Sequence, residues 1–157
     1  MLIRPGQRSD AAAILSLIKE LAVFEKEPEA VLVTQTDIEN DGFGDKPQFK
    51  TFIAEYDHEI VGMALFYNRY STWKGTTIHL EDLIVKEKMR GKGVGLALYK
   101  KVMEQAQEDG VRRVEWAVLD WNKPAVDFYE KSGATVLPDW RVVQMNDVAI
   151  AHFLDKL

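Results

Sequence analysis

The sequence predicts a single α/β domain across residues 1–157, with helices on both faces of a mixed sheet. Three observations carry that expectation. Short apolar runs with strand character alternate with longer runs whose apolar residues recur at helical spacing. A length of 157 residues with 46% hydrophobic and 10% aromatic content is enough for one substantial core. No repeat, low-complexity tract or linker interrupts the chain.

Met1-Leu2-Ile3-Arg4-Pro5 enters a short strand. Ser9 then offers an N-cap, and Ile14, Leu15, Leu17, Ile18, Leu21 and Ala22 predict an amphipathic helix over roughly residues 10–25, ended by the acidic stretch 25–29. Thr34 with Asp37 three residues on marks a second helix start, which Asp41-Gly42-Phe43-Gly44 closes. Phe49–Glu55 and Ile60–Tyr70 read as two strands around a turn at 56–59, and Thr76–Val85 as the next strand. A helix follows to about Asp109, stopped by Gly110, and then a strand over Val114–Leu119. Asn122-Lys123-Pro124-Ala125 starts a further helix, with proline in the tolerated first turn, ending before Gly133. Trp140–Met145 reads as a last strand and Val148–Leu154 as a short terminal helix.

Composition narrows the chemistry. A formal net charge of -5 argues against an electrostatic grip on nucleic acid or an anionic membrane and suits a cationic substrate. Cysteine is absent, which removes disulfides, thiolate metal sites and a cysteine acyl-enzyme. His58, His79 and His152 are scattered without ligand-like pairing, so structural or surface roles are expected and no metal site. There is no G-x-S-x-G elbow for a serine hydrolase. The N-terminus lacks a signal-peptide pattern and no charge-free stretch reaches membrane-spanning length, so a soluble cytoplasmic protein is expected.

The most informative stretch runs from Leu80-Glu81-Asp82-Leu83-Ile84-Val85 through Arg90-Gly91-Lys92-Gly93-Val94-Gly95 to Leu96 and the helix beyond. A buried strand feeding a glycine-rich loop at a helix start aims backbone N–H groups and the positive helix end at one point. Alternating glycines permit positive φ and close backbone approach, and Arg90 adds a forked cation suited to phosphate oxygens. Leu96 stands where a Rossmann fingerprint from Gly91 needs its third glycine, and no Gly-Lys-Ser/Thr is present for a P-loop. An anion site for a pyrophosphate is the reading left.

The Arg-x-x-Gly-x-Gly arrangement between strand and helix resembles the acetyl-CoA pyrophosphate loop of the GNAT superfamily of N-acetyltransferases. The segment Asp120-Trp121-Asn122-Lys123-Pro124-Ala125, followed by Phe128-Tyr129 and Gly133-Ala134, also matches that superfamily. Ile18–Ala22, Asp41–Gly44, Leu80-Glu81-Asp82 and Trp121-Asn122 together resemble its spermidine/spermine (diamine) N-acetyltransferase branch. Some members of that branch prefer thialysine or other lysine-like amines.

The resemblance implies a GNAT-like fold with a mixed, mostly antiparallel sheet, acetyl-CoA as acyl-donor cosubstrate, and a homodimer. It implies that the main chain of Leu83, Ile84 and Val85 meets the pantetheine arm and acetyl carbonyl, and that Arg90, Gly91, Lys92, Gly93, Val94, Gly95 and Leu96 hold the pyrophosphate. Asn122, Pro124 and Ala125 would flank the cofactor, and Tyr129 would be the general acid that protonates the departing thiolate. A lysine-like amine with a pKa near 10.4 is neutral in only about one molecule in a few thousand at pH 7, so attack needs a proton acceptor. Glu81 is the candidate base and a substrate-binding residue, and Glu25 the anchor for a distal ammonium group. Glu27, Glu29 and Asp139 are candidates for added negative field. The segment 137–139 is shorter than in mammalian-type polyamine enzymes. The expected function is acetyl transfer to a primary amine of a small diamine, polyamine or lysine-like acceptor by direct attack in a ternary complex. The alternatives are acetylation of a protein or peptide amine, and a non-catalytic acyl-CoA-binding module.

Overall fold

A computed structural model describes residues 1–156, which form two compact units, Met1–Ala117 and the chain from Val118 onward. The first unit holds a five-stranded sheet in the order β1-β2-β3-β4-β5, made of β1 (Leu2–Pro5), β2 (Lys50–Tyr56), β3 (Glu59–Ser71), β4 (Gly75–Val85) and β5 (Val114–Glu115). The first three pairings are antiparallel and the last is parallel, so the sheet is mixed and mostly antiparallel. Helices α1 (Ala11–Phe24), α2 (Gln35–Phe43) and α3 (Val94–Glu108) belong to the same unit.

Strand alternation sorts the side chains between two layers. On one face Ile53, Met63 and Ile84 pack with Ala11, Ile14 and Leu17 of α1 and Ile38 of α2. Gly62, one residue before Met63 and therefore on the other face, lies under α3, where an added Cβ would stand 3.3 Å from Leu98 Cδ1. Helices thus cover both faces. Among the described residues no helix is long and apolar enough to cross a membrane.

The helix ends explain their own positions. Thr34 and Asp37 form a capping box, Thr34 Oγ1 accepting from Asp37 N at 3.2 Å and Asp37 Oδ2 accepting from Thr34 N at 2.8 Å. At the end of α1, Lys26 is left-handed with φ 67°, and Glu27 N donates to Ala22 O at 2.9 Å, which terminates the helix in a Schellman-type turn. Ser9 does not cap α1. It lies in a 3-10 turn, and Asp10 instead accepts from Gln7 N and from Arg4. The paired Arg4 guanidinium holds the buried Asp10 carboxyl below the usual carboxylate range.

Two strand expectations are corrected. The strand expected over Val114–Leu119 is only Val114–Glu115, because the chain leaves β4 once Ile78 and His79 are paired, and Trp116 turns to meet Tyr99 of α3 edge-on at 5.7 Å. Trp140–Met145 forms no strand. A lone strand has no ladder to complete its main-chain bonds, and this segment runs as irregular, exposed chain between α4 (Lys123–Lys131) and α5 (Asp147–Leu154) in the second unit.

The close approach at Gly62 has a measurable consequence. A Cβ there would also stand 2.7 Å from the Ile84 carbonyl oxygen, which belongs to the main chain and cannot swing away. Gly62→Ala should lower stability by about 1–3 kcal/mol, the usual cost of overpacking a filled core. Urea denaturation measures it, and an unchanged midpoint would mean that β3 and β4 separate freely.

Candidate active site

Strand β4 carries the site's acidic end. Leu65 pairs with Asp82 and Phe66 with Leu80, which makes Glu81 the extra residue of a β-bulge. Bulges break the ladder and re-aim side chains. The Glu81 carboxylate accepts a hydrogen bond from the Tyr67 hydroxyl at 2.9 Å, and His79 Nε2 stands 3.4 Å from the same oxygen, Oε2.

The neighbouring Asp82 lines a cavity of about 270 Å³ together with Glu25 and Glu27, against an apolar wall that includes Ile18, Leu21 and Val31. Burial, followed by repulsion from Glu81 and Glu25, pushes the Asp82 carboxyl up to about 6. Burial raises Glu25 as well. Two carboxyl groups in one partly dry cavity repel each other, and a bound cation relieves that cost.

The other end of β4 feeds the glycine loop. On the side away from β3, β5 pairs only at Ile78 and His79, so no strand lies beside Leu80–Val85 on that edge among the described residues. Main-chain groups on such an edge can receive an extended ligand as an added strand. Gly91 and Gly93 have φ of 73° and 81°, and an added Cβ at either position would meet nothing within 4 Å. Gly93 is also the N-cap of α3, and no side-chain bond caps that end. The loop therefore has the left-handed turns, the open space and the uncapped helix start that a pyrophosphate requires. Arg90 has partners within the first unit. Its Nε donates to the Val85 carbonyl at 3.1 Å and its guanidinium lies 5.1 Å from the Phe24 ring centre.

In the second unit Asn122 caps α4, its side chain accepting from Ala125 N at 3.4 Å, with Pro124 in the first turn. Tyr129 is half-buried near the end of α4, its ring edge-on to Phe128 at 5.3 Å. Its carbonyl accepts from Ser132 Oγ and Ala134 N, so main-chain bonds fix the helix end that carries the phenol.

The structure brings Glu25 into one cavity with Asp82, and Glu81 into one cluster with Tyr67 and His79. Sequence reasoning missed three of these five. Asp82 follows directly on Glu81, the residue that the resemblance assigns as base, and its own place in the cavity has no linear signature. Tyr67 and His79 are direct partners in the β3–β4 register, and His79 precedes Glu81 by two residues, so strand alternation was the available signal.

Residues 13–134 match the acetyltransferase (GNAT) family. The chain is 40% identical to a thialysine N-epsilon-acetyltransferase of Bos taurus over 99% of its own length and 98% of that protein's. It is 32% identical to the human spermidine/spermine N(1)-acetyltransferase-like protein 1 over 92% of its own length and 22% of that longer protein. An integron cassette protein from the mobile metagenome of V. cholerae has the same fold, with a TM-score of 0.80 at 20% identity over 98% of this chain and 96% of that one.

Two outcomes follow from this geometry. Gly93→Val forces a β-branched residue into a left-handed turn at an uncapped helix start, so acetyl-CoA should bind at least about tenfold more weakly while the fold persists. Calorimetric titration decides, and unchanged affinity would remove the loop from the donor site. The second concerns Asp82, whose folded carboxyl titrates above its ordinary value of 3.8. Ionising it costs stability, a cost absent below that value that grows as pH rises through about 6 and then stays constant. Asp82→Asn should thus match the wild-type Tm near pH 3.5 and exceed it by about 2–6 °C near pH 8. A gap independent of pH would show that Asp82 titrates at its ordinary value.

Proposed function

Because the chain belongs to the acetyltransferase (GNAT) family and is an N-acetyltransferase, we propose that it acetylates a primary amine of a small acceptor with a second cationic group: a lysine-like amino acid, a diamine or a polyamine. The observation that carries this is the pairing of Glu25 and Asp82 in one apolar-walled cavity beside the bulge at Glu81. The carboxyl groups suit an ammonium group, and Ile18, Leu21 and Val31 suit the methylene or thioether chain that leads to it. The likeness to a thialysine acetyltransferase over nearly the whole chain supports the same acceptor class.

Acetyl-CoA supplies the acetyl group as a thioester, and the open edge, positive-φ glycines and uncapped helix start described above fit it. The main chain of Leu83, Ile84 and Val85 would line its arm. Arg90 to Leu96 would hold its pyrophosphate, with Arg90 exchanging the Val85 carbonyl for a phosphate oxygen. Asn122, Pro124 and Ala125 would flank it from the start of α4.

In a ternary complex, Glu81 takes a proton from the acceptor's ammonium group, and the freed lone pair forms the new C–N bond. The C–S bond breaks with its electron pair going to sulfur. Tyr129 gives sulfur a proton, since a phenol near pKa 10 is close enough to a thiol for that transfer; the acylated nitrogen sheds its second proton, which restores the phenol by way of solvent, and Glu81 releases the first to water. No acyl-enzyme forms. Trp140, Val142, Val143 and Met145 are exposed in an irregular segment, which supports a homodimer that covers them. A cysteine-free chain suits a reducing cytoplasm, where we place it.

Thiol release from acetyl-CoA across thialysine, lysine, putrescine, spermidine, a matched monoamine and a lysine-containing peptide tests this reading. Turnover should be best with small acceptors bearing two cationic groups, and Glu25→Gln should raise KM for the diamine more than for the monoamine. Tyr129→Phe should lower kcat by about 10²–10⁴ with acetyl-CoA affinity unchanged. Preference for the peptide would move the acceptor to proteins, and no turnover with any amine would leave only cofactor binding.

A further inference from the structure

We infer that Tyr67 and His79 are positioning residues for Glu81: both address one carboxylate oxygen, Oε2, and so leave Oε1 to take the acceptor's proton. The inference rests on the reading of Glu81 as the base. As the extra residue of the bulge, Glu81 lacks a cross-strand partner in the β3–β4 ladder, and its side chain is 50% exposed. A long side chain in that situation samples several rotamers unless something holds it. The Tyr67 hydroxyl at 2.9 Å and His79 Nε2 at 3.4 Å supply the hold.

The holding pair is itself fixed. Tyr67 and His79 face each other across the two strands, with ring centres 5.2 Å apart and planes at 37°. Burial and the bond to Glu81 raise the Tyr67 phenol above its ordinary value, so the hydroxyl stays a donor throughout the working pH range. His79 Nδ1 is buried and has no hydrogen-bond partner. A ring proton on Nδ1 would be a stranded buried donor, whereas Nε2 stands 3.4 Å from Glu81 Oε2. The geometry therefore selects the tautomer that serves the carboxylate.

The titratable and charged groups around this corner are Tyr67 and Arg69 on β3, His79 and Asp82 on β4, Glu115 on β5, and Glu25 at the end of α1. Arg69 is occupied by Glu115 at 2.7 Å. Glu25 and Asp82 carry like charge, which leaves Tyr67 and His79 as the groups that can hold the Glu81 side chain.

Steady-state kinetics with a diamine, on Tyr67→Phe, His79→Phe and His79→Gln in the wild-type and Glu81→Gln backgrounds, tests the inference. Tyr67→Phe and His79→Phe keep the rings and should each lower kcat by about tenfold, with KM for both substrates within about twofold. His79→Gln keeps a side-chain N–H donor and should recover most of the rate. In the Glu81→Gln background neither aromatic substitution should cost anything further. Wild-type kcat in Glu81→Gln would overturn the base assignment and the inference with it. A slow Glu81→Gln beside wild-type-like Tyr67→Phe and His79→Phe would overturn the positioning alone, and so would an equal loss in both backgrounds.

Discussion

The site depends on an unequal pairing of β4. Along one edge it is bonded to β3 from end to end, and along the other it keeps β5 for two residues only. Pairing on the first edge, interrupted only at the Glu81 bulge, fixes β4 against β3. Early departure on the second leaves no strand beside Leu80–Val85 among the described residues, an edge that an extended ligand can join. The bulge at Glu81 falls where β5 leaves, so the ladder is weakest where a side chain has to be re-aimed. Just past the paired residues, Trp116 meets Tyr99 of α3 edge-on.

That architecture is stabilised on both faces and strained at one corner. Ile53, Met63 and Ile84 seal the layer under α1 and α2, and Gly62 lets α3 close on the other side. Against this, burial and the negative charges of Glu81 and Glu25 push the Asp82 carboxyl up to about 6. A structure selected for stability alone would place a neutral side chain there. A charge kept at a cost beside an apolar-walled cavity points to function, because a cation entering the cavity recovers what folding gave up.

Much of this was legible in the sequence, for physical reasons that also explain the failures. The glycine loop was legible because left-handed backbone next to a helix start admits few residue types, and Gly91 and Gly93 adopt the expected positive φ. The helices of the first unit were legible because amphipathic spacing and the Thr34–Asp37 box are local signals. The strands failed where pairing decides. Val114–Leu119 and Trp140–Met145 have strand composition, yet only Val114–Glu115 pairs, since a strand exists only where a neighbour runs alongside. Asp82, Tyr67 and His79 were missed for the related reason that their roles arise from register, from a bulge and from burial, none of which a linear motif displays.

The order of residues along β4 and its loop separates the two proposed substrates by charge. The acidic pair Glu81 and Asp82 comes first, then the apolar Leu83-Ile84-Val85, then a loop of glycines with Arg90 and Lys92 ahead of the positive end of α3. Glu81 to Val85 covers roughly 13 Å of extended strand, comparable to the Debye length of about 8–10 Å at working ionic strength. Each end can therefore keep its own field. A cationic acceptor is drawn to one end and an anionic donor to the other, and the apolar stretch between them is left for the reacting groups. A chain with net charge -5 can hold a polyanionic cofactor on this arrangement, because the field that matters is set within a few residues of the loop and not by the molecule's total charge.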